Sequence, residues 1–303
     1  MENILVAGAN AIDLVGVSQN KLTDGDSNIG RITLTYGGVS RNVAETLHIL
    51  GNQLTYLTPF GDDHFSMLAQ SDLAHKGIPL FKIKKHQMPH ALYLSLHDQD
   101  ASLKAAINDF SLAENVTPKD LDPFQPMLKD FSALVLDTNF SESVLSWLID
   151  MFRGKPIFVD GVSQAKVTRI QKHLNDITLL KVNHSELLSL SKDKALDEET
   201  IIQHCLQDGL NGIIVSHGKD PVTLAWENII QHMPVESPKR FVSSNGAGDA
   251  LFSGAIHSLL QGKPLPQAVI FGLKLASLTM EVASAINPKV AQYASEEERS
   301  VRV

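Results

Sequence analysis

Late in a chain of 303 residues, Ser243-Ser244-Asn245-Gly246-Ala247-Gly248-Asp249-Ala250 runs into Leu251-Phe252-Ser253-Gly254-Ala255-Ile256. Small residues that open a helix let several backbone N–H groups converge at its positive end, an arrangement that holds a phosphate or a developing phosphoryl charge. Gly246, Ala247 and Gly248 are the donors in this reading. Asp249 follows at once, and a carboxylate beside an anion hole can orient or deprotonate a hydroxyl that attacks phosphorus. A plainer role suits the same residues: Gly-Ala-Gly can permit close helix–sheet packing, with Asp249 complementing the helix dipole. The segment is neither a Walker loop, which needs Gly-Lys-Ser/Thr, nor a dinucleotide fingerprint, which follows a first strand.

Other candidates carry weaker chemistry. Lys166, after Asp160-Gly161-Val162-Ser163, can reach a phosphate or serve as a surface lysine. His86 and His90 have an i, i+4 spacing, but Pro89 lies beside them and no acidic third ligand is near, so no zinc site is expected. His184 and His217 read as hydrogen-bonded structural histidines. Cys205 is the sole cysteine, which excludes an intramolecular disulfide and points to a reducing, cytoplasmic setting. It reads as a packing residue.

These groups need elements to hold them. Short apolar runs at 4–8, 54–59, 133–137, 156–160, 178–182 and 212–216 alternate with helical patterns, the signature of buried parallel strands joined by crossover helices. From Arg41 to Leu50 the spacing of Val43, Leu47 and Leu50 predicts an amphipathic helix, closed by Gly51. Two stretches, 12–36 and 91–109, break the rhythm. Each reads as antiparallel strands with one solvated face, so together they are expected to form a small β-sheet lid over the main sheet. The chain is thus an α/β fold: a single domain over 1–303, with a mostly parallel central sheet between helices and a lid made from two insertions.

Composition narrows the partners. Hydrophobic residues make up 43%, enough for a core without metal or disulfide staples. The 26 Lys+Arg against 34 Asp+Glu give a formal charge of −8, which argues against nucleic acid as a partner. The first apolar run lacks a basic flank and is broken at Asn10 and Asp13, so no signal peptide or membrane anchor is expected.

At long spacing and in a fixed order, three motifs resemble those of the PfkB, or ribokinase-like, family of sugar and nucleoside kinases. Tyr36-Gly37-Gly38-Val39-Ser40-Arg41-Asn42-Val43-Ala44 resembles its N-terminal signature, Asn183-His184-Ser185-Glu186 its Asn-x-x-Glu element, and Gly246-Ala247-Gly248-Asp249 its C-terminal signature. Within the family, the run from Asp26 to Asn42, with Ala106-Ile107-Asn108-Asp109 and Val159-Asp160-Gly161-Val162-Ser163, is similar to the subgroup acting on pseudouridine.

The resemblance implies a ribokinase-like three-layer α/β/α sandwich and a division of labour. Asn10, Asp13, Gly37, Gly38 and Asn42 match the positions that hold the sugar. Asp249 matches the general base, with Gly246, Ala247 and Gly248 as the anion hole. Asn183, Ser216 and Gly218, with Lys166, fall on the nucleotide side, and Glu186 on the Mg²⁺ side. ATP and Mg²⁺ are the implied cofactors, and phosphorylation of the 5′-hydroxyl of pseudouridine is the implied reaction. Another sugar or nucleoside kinase, or a non-catalytic sensor, is the alternative.

Two departures stand out: Pro221, where glycine is usual, is expected to alter the nucleotide-side turn, and Ser243, where aspartate is common, leaves the monovalent cation requirement open. Asn245 is a candidate helix cap. An open lid edge suggests a homodimer joined through the lid.

Overall fold

The computed structural model describes residues 3–193 and 195–293. In chain order the strands are Asn3–Ala7 (β1), Ala11–Ser18 (β2), Gly30–Gly37 (β3), Gln53–Phe60 (β4), Leu80–Lys84 (β5), Leu92–His97 (β6) and Leu103–Asp109 (β7). They continue with Ala133–Asp137 (β8), Ile157–Asp160 (β9), Leu179–Asn183 (β10), Gly212–His217 (β11), Asp220–Trp226 (β12) and Ile229–Met233 (β13). The six apolar runs singled out in the sequence are β1, β4, β8, β9, β10 and β11, with ends within one residue of those expected.

Nine strands form the main sheet in the order β13-β12-β11-β10-β9-β8-β1-β4-β5. All its pairs from β11 to β5 are parallel, and β12 and β13 add an antiparallel hairpin at one edge. Alternate residues of each strand feed opposite cores. In β1, Ile4 and Val6 pack with the helices Val39–Ile49, Ala247–Leu260 and Leu265–Thr279, whereas Leu5 and Ala7 pack with Glu142–Met151 and Glu198–Gln207. The result is the helix–sheet–helix sandwich of a ribokinase-like fold, its parallel strands sealed on both faces. Cys205 lies inside it, and burial pushes its thiol up to about 12.

The helix expected over Arg41–Leu50 spans Val39–Ile49 and stops where Gly51 takes φ 84° and Asn52 N–H reaches back to the Leu47 carbonyl at 3.0 Å. The second sheet has the order β3-β2-β6-β7. It is not wholly antiparallel as expected: β2 and β6 run parallel, because the chain crosses through the main sheet between them. Among the described residues no helix is long and apolar enough to cross a membrane.

Candidate active site

Strand β1 lies between β4 and β8, so the chain leaves its C-terminal end where neighbouring connections part, the place where open α/β sheets form a crevice. Three charged residues line that edge on consecutive strands. Asp137 ends β8, its register partner Asp160 ends β9, and Lys181 of β10 pairs with Asp160. Asp137 is fully buried and accepts from the backbone N–H groups of Ala9 and Ser40, both at 3.2 Å, and of Asn139 at 3.0 Å. Burial raises its pKa, while the bonds from Ser40 and Asn139 oppose that rise. One carboxylate therefore ties the loop after β1 to the start of the helix Val39–Ile49.

Those two segments carry the residues matched to the sugar. Asn10 is 1% exposed and donates from Nδ2 to Thr58 Oγ1 at 2.6 Å and to the Pro59 carbonyl at 3.1 Å. Asn42, in the first turn of its helix, donates from Nδ2 to Asp249 Oδ2 at 2.7 Å. The remaining amide oxygens, Asn10 Oδ1 and Asn42 Oδ1, are buried without a hydrogen-bond partner among the described residues. An unmet buried acceptor costs about 1–3 kcal/mol, so two in one crevice fit a ligand that brings hydroxyl donors. Asp13, on β2, lies against Gly37, and burial pushes its pKa up to about 6 while the Arg41 guanidinium pulls it down. Gly38 sits at φ 102°, where a Cβ would stand 2.5 Å from the Ala9 carbonyl oxygen. The turn needs glycine.

Gly246 precedes the helix Ala247–Leu260 at φ 75°, and a Cβ there would lie 1.9 Å from the Ala285 carbonyl oxygen. No side chain caps this helix, so Asn245 does not serve as its cap. Asp249, half-buried in the first turn, has its pKa pushed up to about 7. Burial is the main cause, and the negative charges of Asp160 and Asp137 add to it; Lys181 and the Asn42 hydrogen bond oppose it. Lys181 Nζ lies 3.0 Å from Asp160 Oδ2. Burial alone would lower the lysine, but the pull of Asp160, Asp249 and Glu186 outweighs it, so the ammonium stays charged with its pKa raised.

On the other side of Lys181, Asn183 and Glu186 close a reciprocal cap. Glu186 N–H donates to Asn183 Oδ1 at 2.9 Å, and the carboxylate accepts from Asn183 Nδ2 at 2.7 Å and from Asn183 N–H at 2.9 Å. Glu186 is buried, and burial leads the rise in its pKa. A cavity of about 640 Å³ opens above it, lined by Ser163, Asn183, Glu186, Ser216 and Gly218 among others. A second cavity of about 480 Å³ shares Ser216 and Gly218 and is mostly apolar, with Val222, Val235, Phe241, Leu251 and Met280 on its walls and Ala247 and Gly248 at its end.

Gly218 turns at φ 67° between β11 and β12. Pro221 leaves that turn intact. It falls where the β11–β12 register slips, between the pairs His217–Asp220 and Val215–Thr223, so no ladder N–H is lost. Lys166 lies outside this nucleotide-side group: its ammonium donates to Asn139 Oδ1 at 2.8 Å and sits 4.7 Å from the centre of the Phe110 ring. His90 is buried against Phe60 with Ser66 beside it, while His86 is exposed.

The sequence pattern of the pfkB family carbohydrate kinases matches residues 1–292. The chain belongs to the PfkB family. It is 30% identical over 295 residues to the pseudouridine kinase of Escherichia coli, covering 95% of this chain and 93% of that one. It is 26% identical to the guanosine-inosine kinase of Exiguobacterium acetylicum, covering 91% and 94%. Among solved structures, a carbohydrate kinase from Agrobacterium tumefaciens superposes with a TM-score of 0.84 at 25% identity, covering 98% of this chain and 96% of that one. The Arabidopsis thaliana ribokinase complexed with ribose and ATP superposes at 0.83 with 16% identity, covering 97% and 98%, which shows the shared fold.

As a PfkB kinase the protein is a phosphotransferase with an alcohol acceptor on a sugar or nucleoside. Its structure adds residues that motif reading left without a role. Asp137, Asp160 and Lys181 form the charged floor between the two halves of the site. A signal for Lys181 exists in the sequence: a lysine inside the apolar run Leu179-Leu180-Lys181-Val182 has to be paired, because a lone buried ammonium is not tolerated.

Proposed function

We propose that the protein is a pseudouridine kinase, transferring the γ-phosphoryl group of ATP to the 5′-hydroxyl. The observation that carries the catalytic half of this reading is the 2.7 Å bond from Asn42 Nδ2 to Asp249 Oδ2, which locks the carboxylate of the C-terminal motif onto the N-terminal motif. The bond fixes one carboxylate oxygen and leaves Oδ1 to take the proton of the attacking hydroxyl. A base with a pKa of about 7 is well matched to that task.

In this reading the sugar hydroxyls donate to Asn10 Oδ1 and Asn42 Oδ1 and to Asp13, and Gly37 and Gly38 let the ring approach the backbone. The first-turn N–H groups around Gly246, Ala247 and Gly248 receive the transferring phosphoryl oxygens, with the Lys181 charge beneath them. Adenine occupies the apolar cavity, and the phosphates pass Ser216 and Gly218 toward Asn183. Glu186 suits Mg²⁺ as an oxygen ligand acting through water, since both its oxygens already accept from Asn183; the ion supplies charge neutralisation when bound. Lys166, facing Asn139 and Phe110, is reassigned from the phosphates to the nucleoside side.

The small sheet acts as a lid and as the contact between two copies. In register across its four strands, Leu34, Leu14, Leu94 and Ile107 form an apolar row, and Ile32 and Leu96 extend it. Ile32 is 79% and Ile107 70% exposed, the kind of patch that a partner covers. The face of the sheet, more than its edge, supports a homodimer. The single buried cysteine supports a cytoplasmic setting.

The choice of pseudouridine rests on the Escherichia coli relative. Steady-state ADP release with pseudouridine, uridine, guanosine, ribose and fructose tests it. Pseudouridine is expected to give the highest kcat/KM; a higher value for any other acceptor overturns the substrate while leaving the family in place.

A further inference from the structure

At the rim of the polar cavity lies a group that phosphoryl transfer does not use. His184, Glu198 and His217 bring two imidazole nitrogens and a carboxylate oxygen within 4.8 Å of one another. His184 Nδ1 is 2.6 Å from Glu198 Oε2, and His217 Nε2 is 3.2 Å from Glu198 Oε1. Three separate elements converge to make this: His184 opens the helix His184–Ser189, Glu198 opens Glu198–Gln207, and His217 ends β11.

Two further features distinguish the trio from a casual hydrogen-bonded cluster. The β11–β12 ladder slips register between Val215 and His217, and such bulges re-aim the side chain they carry. Behind the carboxylate, Thr223 is 1% exposed and donates its hydroxyl to Glu198 Oε1 at 2.9 Å, with His232 Nδ1 3.2 Å from the same hydroxyl. A ligand carboxylate oriented by an outer hydrogen bond is the usual construction of a metal site. Both histidines also line the cavity of about 640 Å³, so a fourth coordination position opens to a cleft and not to packed core.

We propose that His184, Glu198 and His217 bind one divalent ion of the zinc class at this rim. Two nitrogens and one carboxylate oxygen with an open position are zinc-type donors, whereas Mg²⁺ takes oxygen ligands. Binding replaces the 2.6 Å hydrogen bond: the Nδ1 proton of His184 moves to Nε2 or to solvent, and the freed lone pair and Glu198 Oε2 turn to the ion. Water fills the open position. The inference does not depend on the choice of phosphoryl acceptor, so either can fail without the other.

The test is titration of the chelator-treated full chain with Co²⁺, followed by its visible d–d absorption, and with Zn²⁺ by calorimetry. One ion per chain is expected. His217→Ala and Glu198→Gln abolish the Co²⁺ spectrum, Thr223→Val weakens Zn²⁺ binding about 10- to 100-fold, and His86→Ala, at an exposed histidine beside Asp62, changes nothing. Melting without metal, unchanged in Glu198→Gln, shows that the loss is one of binding and not of folding. Absence of saturable Zn²⁺ uptake at micromolar ion, or a Co²⁺ spectrum that survives in both His217→Ala and Glu198→Gln, overturns the proposal.

Discussion

Strand β8 is buried at every residue, and strand β7 is exposed at every residue, although both are short and rich in apolar side chains. The difference is what each sheet is for. The parallel sheet is sealed by helices on both faces, so its C-terminal edge can hold Asp137, Asp160 and Lys181 at fixed separations in low-dielectric surroundings, where charges act strongly. The small sheet is two-faced. Its row Leu34–Leu14–Leu94–Ile107 is apolar, and the next row, Thr35–Asp13–Tyr93–Asn108, presents polar groups on the opposite side. Charges held at fixed positions belong to the first sheet; an exposed apolar face and a polar one belong to the second.

Substitutions can set the two sheets against each other. The largest effect is expected at the sealed edge: Asp249→Asn should lower kcat by about 10²- to 10⁴-fold with little change in KM. In the wild type, kcat should rise with pH through about 7 and level off above it, because only the ionised carboxylate takes a proton; the residual activity of Asp249→Asn should lose that rise. Steady-state rates across pH check both. On the lid, Asp13→Asn removes a charged acceptor worth about 1.5–3 kcal/mol, so KM should rise roughly 10- to 100-fold with kcat less affected. A reversed split, with Asp13 controlling kcat and Asp249 controlling KM, would break the division between sheets.

Smaller effects concern stability and assembly. Gly246→Ala forces a side chain into φ 75° and onto the Ala285 carbonyl, and should cost at least about 1–3 kcal/mol in denaturant unfolding. Leu94→Glu with Ile107→Glu should convert a dimer to a monomer in light scattering while the melting temperature of the core stays close to wild type. A wild-type monomer would remove the dimer from the reading.

A further effect is a pH dependence of stability. The Asp249 pKa rises from 3.8 to about 7 on folding, so its contribution is present below about pH 4 and lost as pH rises through about 7. Asp249→Asn should therefore melt higher than the wild type at pH 8, and that advantage should shrink toward pH 4.

Sequence patterning exposed the sealed sheet more clearly than the small one. Continuous apolar runs such as Ala133–Asp137 have one reading once turn residues bound them. Strand β2 was harder to see, because Ala11-Ile12-Asp13-Leu14 alternates only weakly before Val15-Gly16-Val17, and its parallel pairing with β6 depends on a crossover that no local pattern encodes. The hairpin β12–β13 hides behind Pro221, which sits at a register slip and so does not stop the strand. Motifs single out Asn42 and Asp249, and the structure brings these two distant residues into one hydrogen bond. The direction of Lys166 is not legible locally, because a lysine's reach is long and its contacts, Phe110 and Asn139, are distant in sequence.

The bond between Asn42 and Asp249 joins residues 207 positions apart. During synthesis, everything proposed to hold the sugar is translated by residue 42, and both lid insertions by residue 109. The base emerges only after the ribosome has passed 207 more codons beyond Asn42. The base is therefore the last part of the proposed site to be made, and the sugar-side segments themselves wait for Asp137 of β8, which ties the loop after β1 to the helix Val39–Ile49.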